Sequence, residues 1–318
     1  MITKDFTFLS SNNKTNIHAI VCYPKNGQFT RVLQMIHGMC EYIERYLNFF
    51  EFLTGKGFVI VGHDHLGHGQ SINSKEDLGY FGEPEGNDLV IKDIHTLRLL
   101  TQEKYYNFPY FMCGHSMGSY FLREYLSFSS ERLAGAIIMG TGYETSCKCN
   151  AGINLCHLIS CCRGMHYRSS MVKNLTVGSG PYKKYDLTKT DNNNSWITSD
   201  PSMAKKYNED KKMDFDFTLN GYIALAKATR FCCDSSNVVK IKKNLPILLV
   251  SGDCDPVGNF GKGVKTVYKM YKSAGISDVT MKLFENDRHE ILNEVNRDEV
   301  YEYIGNWLDE RTKVGNIN

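Results

Sequence analysis

The 318-residue sequence has no long apolar run: nothing in it approaches the ~18 to 20 residues that cross a bilayer as a helix. It also has no excess of one charge, since 37 Lys and Arg stand against 35 Asp and Glu. Without a basic stripe interleaved with aromatics, nucleic acid is not an expected partner. The first residues, Met1 to Phe6, carry charge where a secretion signal would need an apolar stretch. Cysteine is plentiful, with 11 residues, but the count is odd and no Cys-x-x-Cys spacing occurs. Those features exclude a disulfide framework and the common zinc sites, and favour reduced thiols in a cytoplasmic setting. No internal repeat is present, and the one low-complexity run, Asn192-Asn193-Asn194, reads as a turn.

What is present is an alternation. Two opening strands, Lys4 to Ser10 and Asn16 to Tyr23, precede apolar runs at Val32 to Ile36, Phe58 to Val61, Tyr110 to Cys113 and Leu133 to Met139. Segments of helical periodicity separate the later runs, including a long one capped near Asn87 and Asp88. The alternation stops from about Thr145 to Asn237. It resumes at Leu245 to Val250 and Val279 to Phe284 and closes with a helix over Glu294 to Leu308. Apolar strands alternating with helices predict a mostly parallel central sheet with helices on both faces, an α/β fold. The expected organisation is one domain whose core halves are residues 1–144 and 238–318, with residues 145–237 inserted as a helical cap.

Gly114-His115-Ser116-Met117-Gly118 fits Gly-x-Ser-x-Gly between a buried strand and an amphipathic helix. Such a turn lifts a nucleophilic serine out of the sheet, and its glycines let neighbouring elements approach. Serine needs a base and an orienting acid, which in this arrangement follow in the order Ser, Asp or Glu, His. His289 is the single histidine after His166 and lies beyond the last strand, so it is the candidate base. Two acids follow the strand ending at Val250. Asp255 precedes Pro256, which biases it to an extended backbone, whereas Asp253 suits a structural role satisfying loop N–H groups; the spacing alone favours Asp255 only slightly. The oxyanion donors expected are the backbone N–H groups of Met117, after the nucleophile, and Met39, in the loop after the third strand. His37 reads as a loop brace.

The set His37-Gly38-Met39-Cys40-Glu41-Tyr42 with Arg45-Tyr46, Asp64-His65-Leu66-Gly67-His68-Gly69-Gln70-Ser71, Gly114-His115-Ser116-Met117-Gly118 and Arg288-His289-Glu290 resembles the monoacylglycerol lipase and lysophospholipase group of α/β-hydrolases, also called serine aminopeptidase S33-like hydrolases. Gly178-Ser179, Ser195 to Asp200 and Tyr207 to Asp210 resemble the lid of the bacterial members, so the likeness spans nearly the whole chain and points to a bacterial protein. It implies an α/β-hydrolase fold with an inserted lid, a Ser116, His289 and Asp255 triad, and oxyanion donors at Met39 and Met117. The implied reaction is cleavage of a carboxylic ester of a single-chain lipid, such as a monoacylglycerol. The alternatives are a lysophospholipase or short-chain carboxylesterase and, further off, an aminopeptidase with Glu41 binding the substrate ammonium, or a non-catalytic receptor. Cys40 and Cys254 depart from the small or polar residues expected beside the site.

No cofactor is expected. Gly67 to Ser71 lacks both Gly-x-Gly-x-x-Gly and Gly-Lys-Ser/Thr and reads as a braced surface loop. The crowded Cys147, Cys149, Cys156, His157, Cys161, Cys162 and His166 read as packing rather than metal ligands. Ala151 to Ile159 is expected to form a lid helix whose apolar face either lines an acyl pocket and touches micelles or bilayer, or is buried on the core. Peripheral membrane contact through that lid is the one membrane association the sequence allows.

Overall fold

The alternating strands assemble into one eight-stranded sheet in the computed structural model, which describes residues 1–83, 86–185 and 195–314. The expected turn at Asn192 to Asn194 lies outside them. The strands are β1 (Ile2–Leu9), β2 (Asn16–Tyr23), β3 (Arg31–Ile36), β4 (Phe58–His63), β5 (Tyr110–His115), β6 (Gly135–Met139), β7 (Ile247–Gly252) and β8 (Val279–Phe284), ordered β1-β2-β4-β3-β5-β6-β7-β8. β1 and β2 pair antiparallel, as do β2 and β4, and the remaining pairs are parallel. Every residue of β4, β5, β6 and β7 is buried, which is why these strands read as continuous apolar runs rather than alternating ones.

The principal helices are α1 (Leu47–Gly55), α2 (Gly86–Lys104), α3 (Met117–Phe128), α4 (Ser146–Arg163), α5 (Ser170–Val177), α6 (Pro201–Glu209), α7 (Leu219–Cys232), α8 (Ser235–Val238), α9 (Lys262–Ser273) and α10 (Arg297–Val314). Two apolar layers sandwich the sheet, and neighbouring strand residues divide between them. Leu33, Phe111, Ile137 and Leu248 join Phe49 and Leu53 of α1 and Ile304 and Trp307 of α10 on one face. Val32, Met112, Ile138 and Leu249 join Ile94 of α2, Phe121 of α3 and Val267 of α9 on the other. This is the α/β-hydrolase architecture. The closing helix starts at Arg297, later than the expected Glu294, whose own backbone is extended at φ −80° and ψ 168°.

Two topological facts locate the site. The chain runs from β3 outward to β4, then crosses back to β5 on the other side of β3, so loops leave the carboxyl ends of β3 and β5 in diverging directions and open a crevice. Between the adjacent strands β6 and β7 the chain departs for α4 through α8 before returning. Cys149, Ile153 and Cys156 form the buried stripe of α4, which packs on α7, while Leu158 is 70% exposed.

Candidate active site

β5 ends at His115 and α3 starts at Met117, leaving Ser116 alone to turn the chain. It does so with φ 53° and ψ −122°, a left-handed conformation that costs a residue other than glycine about 1–3 kcal/mol. The surrounding contacts impose it. The Ser116 N–H donates to the Met139 carbonyl at 2.9 Å, and its own carbonyl accepts from the Ser119 N–H at 2.8 Å and the Ser119 hydroxyl. A side chain at Gly114 would strike the Gly118 carbonyl, and one at Gly118 would strike that of Ile36. The two glycines are therefore required by close approach of strand and helix.

The loop after β3 lies against this turn. A Cβ at Gly38 would stand 3.1 Å from the Ser116 Cβ. Met39 follows Gly38, and Cys40 then turns the loop away with φ 56° and an N–H donated to His68 Nε2 at 3.3 Å. Met117 heads α3, where backbone N–H groups have no intrahelical acceptor. The segments bearing both expected oxyanion donors thus flank Ser116.

Two loops bring the other candidates together. His289 Nδ1 and Asp255 Oδ2 are 3.0 Å apart, and both residues are buried. Asp255 also accepts from the Ser251 hydroxyl at 3.0 Å and the Val257 N–H at 2.8 Å, which hold its carboxylate toward the histidine. Asp253 faces away and accepts the Asn286 N–H at 2.8 Å, so the two acids separate into one that meets the histidine and one that ties a loop. The His289 ring lies 4.8 Å from that of His115, and both crowd against Gly140, where a Cβ would stand 3.1 Å from the His289 ring and 3.3 Å from that of His115.

Behind these residues sits a buried polar network that motif spacing did not reveal. Glu41 accepts hydrogen bonds from the Gly38 N–H, the Tyr46 hydroxyl at 2.7 Å and Arg45 Nη1 at 2.7 Å, and it lies 3.3 Å from His115 Nδ1. Arg45 bridges on to Glu290 through two bonds at 2.7 and 2.9 Å. Burial works to raise the Glu41 carboxyl, but the hydrogen bond to His115 and the charge of Arg45 outweigh it and hold it well below the usual carboxylate range. Burial likewise works to lower His115, and its bond to Glu41 overrides this and raises it. His115 Nε2 lies 3.4 Å from the His289 carbonyl. Glu41 therefore ties the loop after β3 to the nucleophile turn, and Arg45 ties both to the loop carrying His289. Glu41 and Arg45 lie four residues apart, and Glu290 and His115 join them only through the fold.

The Gly67 to Ser71 loop is braced as expected but only partly on the surface, with Gly67, His68 and Ser71 buried and Gln70 exposed. Asp64 accepts from the Ile43 and Gln70 N–H groups, both at 2.8 Å, and lies 3.0 Å from His18 Nδ1. His18, Glu44 and Asp64 have ligand atoms within 4.8 Å of one another, but the Asp64 oxygens are already engaged. His37 braces the residues before this loop by accepting the His65 N–H at 2.9 Å. None of the eleven cysteines is in a disulfide. Among the described residues no helix is long and apolar enough to cross a membrane.

The segment between β6 and β7 reaches over the site. The Trp196 ring lies 5.1 Å from the His289 ring, and the Trp196 carbonyl accepts the His289 N–H at 3.4 Å. Tyr185 bonds to the Cys254 carbonyl, Arg288 to the Ser195 carbonyl, and the Cys40 thiol to the Phe215 carbonyl at 3.2 Å.

Comparison with known proteins finds relatives of this chain in sequence and in fold. Among curated relatives, an uncharacterized abhydrolase domain-containing protein of Dictyostelium discoideum is 25% identical over 98% of this chain, which spans only 29% of that relative's length. Human monoglyceride lipase is 24% identical, with 87% of this chain and 81% of its own covered. A thermostable carboxyl esterase of Bacillus coagulans, solved in complex with glycerol, superposes with a TM-score of 0.89 at 29% identity over 98% of this chain and 99% of its own. The family described as serine aminopeptidase, S33, matches residues 27–296, so the chain belongs to that family of α/β-hydrolases.

Proposed function

We propose that the chain hydrolyses carboxylic esters of single-chain lipids, with monoacylglycerol as the substrate, through Ser116, His289 and Asp255. The observation that carries this reading is the buried His289–Asp255 hydrogen bond of 3.0 Å, in a chain that also holds a serine at φ 53° at the head of a helix. Ser116 Oγ attacks the ester carbonyl and His289 Nε2 takes its proton. Asp255, on Nδ1, fixes the tautomer and stabilises the imidazolium. The N–H groups of Met39 and Met117 hold the oxyanion. His289 then protonates the departing glycerol oxygen, and later activates the water that releases the fatty acid.

The relatives named as esterase and monoglyceride lipase support an ester over an amide. So does Glu41, the acid the sequence offered to bind a peptide's ammonium, because its carboxylate is spent on Gly38, Arg45 and Tyr46. We assign residues 145–237 as the lid, with Trp196 over the base. Leu158, Met171 and Leu175 of α4 and α5, 70, 50 and 58% exposed, are its apolar contacts to micelle or bilayer. A panel of monoacylglycerols, lysophospholipids, p-nitrophenyl esters and aminoacyl amides, run with fluorophosphonate labelling, tests the reading. Labelling at Ser116 with fastest turnover of monoacylglycerol is expected. Preferred turnover of lysophospholipids or short p-nitrophenyl esters would reassign the substrate, and a serine inert to fluorophosphonate would remove the mechanism.

A further inference from the structure

Arg123 of α3 is 1% exposed and one of the largest fully buried side chains of the protein. Its guanidinium cannot shed its proton, and a buried cation without a counter-charge is among the costliest arrangements in a protein. Its hydrogen-bond acceptors are the Thr141 hydroxyl at 3.1 Å, the carbonyls of Gly142 at 2.8 Å and Cys232 at 3.0 Å, and Cys233 Sγ at 3.5 Å. None is a carboxylate, and Nε has no partner at all. The titratable groups facing this charge are Cys232 and Cys233 at the end of α7, Tyr120 on its own helix and Tyr271 on α9, while Cys149 of α4 faces Cys233. We infer that Cys233 stands as a thiolate, is the counter-ion of Arg123, and is a nucleophilic modification site for small soft electrophiles.

Glu124, whose charge acts on Cys232, is raised by burial to about 7 and takes its hydrogen bond from Asn87 at 3.3 Å. Burial pushes Tyr120, Tyr271, Cys149 and Cys232 up, so all four stay neutral near neutrality. Cys233 moves the other way. The hydrogen bond from the Cys232 thiol, opposed by burial and reinforced by the Arg123 charge and the Glu144 N–H, brings it down to about 5. Arg123 Nη2, 3.5 Å from the sulfur and carrying a fixed positive charge, is the kind of neighbour a stable thiolate requires. Cys233 is 8% exposed, which limits reagents to small ones. With iodoacetamide the sulfur electron pair forms the S–C bond while the C–I bond breaks and iodide leaves; a thiolate has no proton to lose first.

The ultraviolet absorbance of thiolate tests the charge directly in the full chain. At pH 7 the wild type is expected to show about one thiolate per chain more than Cys233→Ser, and to lose it on acidification in a step at about 5. Equal absorbance in the two proteins would overturn the inference. Should Cys233→Ser fail to fold, Cys233→Asp, which keeps an anion beside Arg123, must be more stable than Cys233→Ala; the reverse order also overturns it. Mass-spectrometric mapping tests the modification site. Iodoacetamide is expected to label Cys233 at a rate unchanged from about pH 6 to about pH 8, whereas glutathione in the same tube speeds up about tenfold per unit below its pKa. A Cys233 rate that climbs with glutathione, or no label there, removes the site.

Discussion

Glu41→Gln tests whether the buried network behind the site holds three loops in place. Glu41 is 4% exposed, and its two oxygens together take the Gly38 N–H, the Tyr46 hydroxyl and the Arg45 guanidinium. Glutamine keeps the size but replaces one oxygen with a donor, so an NH₂ must face either Arg45 or the pair Gly38 and Tyr46, donors all. Removing one partner of a buried charged pair typically costs about 3–5 kcal/mol, because the remaining charge stays buried. Here Arg45 retains Glu290, which places the expected loss near the lower bound, about 3 kcal/mol. At roughly 2–4 °C per kcal/mol for a chain of about this size, Tm should fall by about 6–12 °C. Urea unfolding at neutral pH measures the difference, with the m-value checking that the transition stays two-state. The pH dependence adds an independent check. Glu41 is depressed in the folded chain, so its contribution is complete above the unfolded carboxylate value of about 4.3 and disappears as pH falls through the lower folded value. The gap between wild type and Glu41→Gln should therefore be widest above about pH 5 and narrow on acidification. A loss below about 1 kcal/mol, or a gap that does not narrow in acid, would refute the reasoning.

Ser116→Ala should lower kcat by about 10⁶-fold with Tm unchanged or raised, since alanine removes the nucleophile without adding bulk to a strained turn; ester hydrolysis surviving at more than a few per cent would count against Ser116. Asp255→Asn should cost about 10⁴-fold in kcat by taking the anion from His289 Nδ1. Asp253→Asn should cost little, because Asn can still accept the Asn286 N–H, and kinetics in which Asp253→Asn is the worse variant would reverse the assignment. His18 is raised to about 9, chiefly by its hydrogen bond to Asp64 against the opposing effect of burial and with support from Asp5. A raised histidine stabilises fully below its unfolded value of about 6.5 and loses that contribution as pH rises through the folded value. Thermal unfolding should accordingly show stability declining between about 6.5 and about 9, with the decline flattened in His18→Gln.

The parts of this molecule that were legible in the sequence are those set by local pattern. Continuous apolar runs such as Ile247 to Val250 mark buried parallel strands because nothing on either face can be polar, and glycines 114 and 118 mark a turn where strand and helix backbones touch. Ambiguity entered where two residues share a pattern and differ only in what faces them. Asp253 and Asp255 lie on one loop with equal access to solvent in the linear chain, and what separates them is that Asn286 and His289 arrive from a different loop on different sides. The α4 stripe posed the same problem: periodicity shows an apolar face, and only the position of α7 shows what that face meets. His115 was hidden in full view inside the pentapeptide. Its partner Glu41 lies 74 residues earlier, and no spacing rule links a residue on one strand's loop to a residue on the next but one.

Cys233 carries that reasoning furthest. Beside Cys232 it looks like one more small apolar residue at the end of a helix, and nothing within its own segment argues otherwise. Its chemistry is set by Arg123, 110 residues away. In the sequence Arg123 looks like an ordinary charged residue on an amphipathic helix, with solvent as its natural surroundings. Folding inverts both expectations by burying the cation and ionising the thiol, and each inversion requires the other. Neither residue could be read correctly alone, because the cost of burying a charge is a property of the pair. A search for functional cysteines should therefore start from buried cations that lack a carboxylate rather than from cysteine spacing.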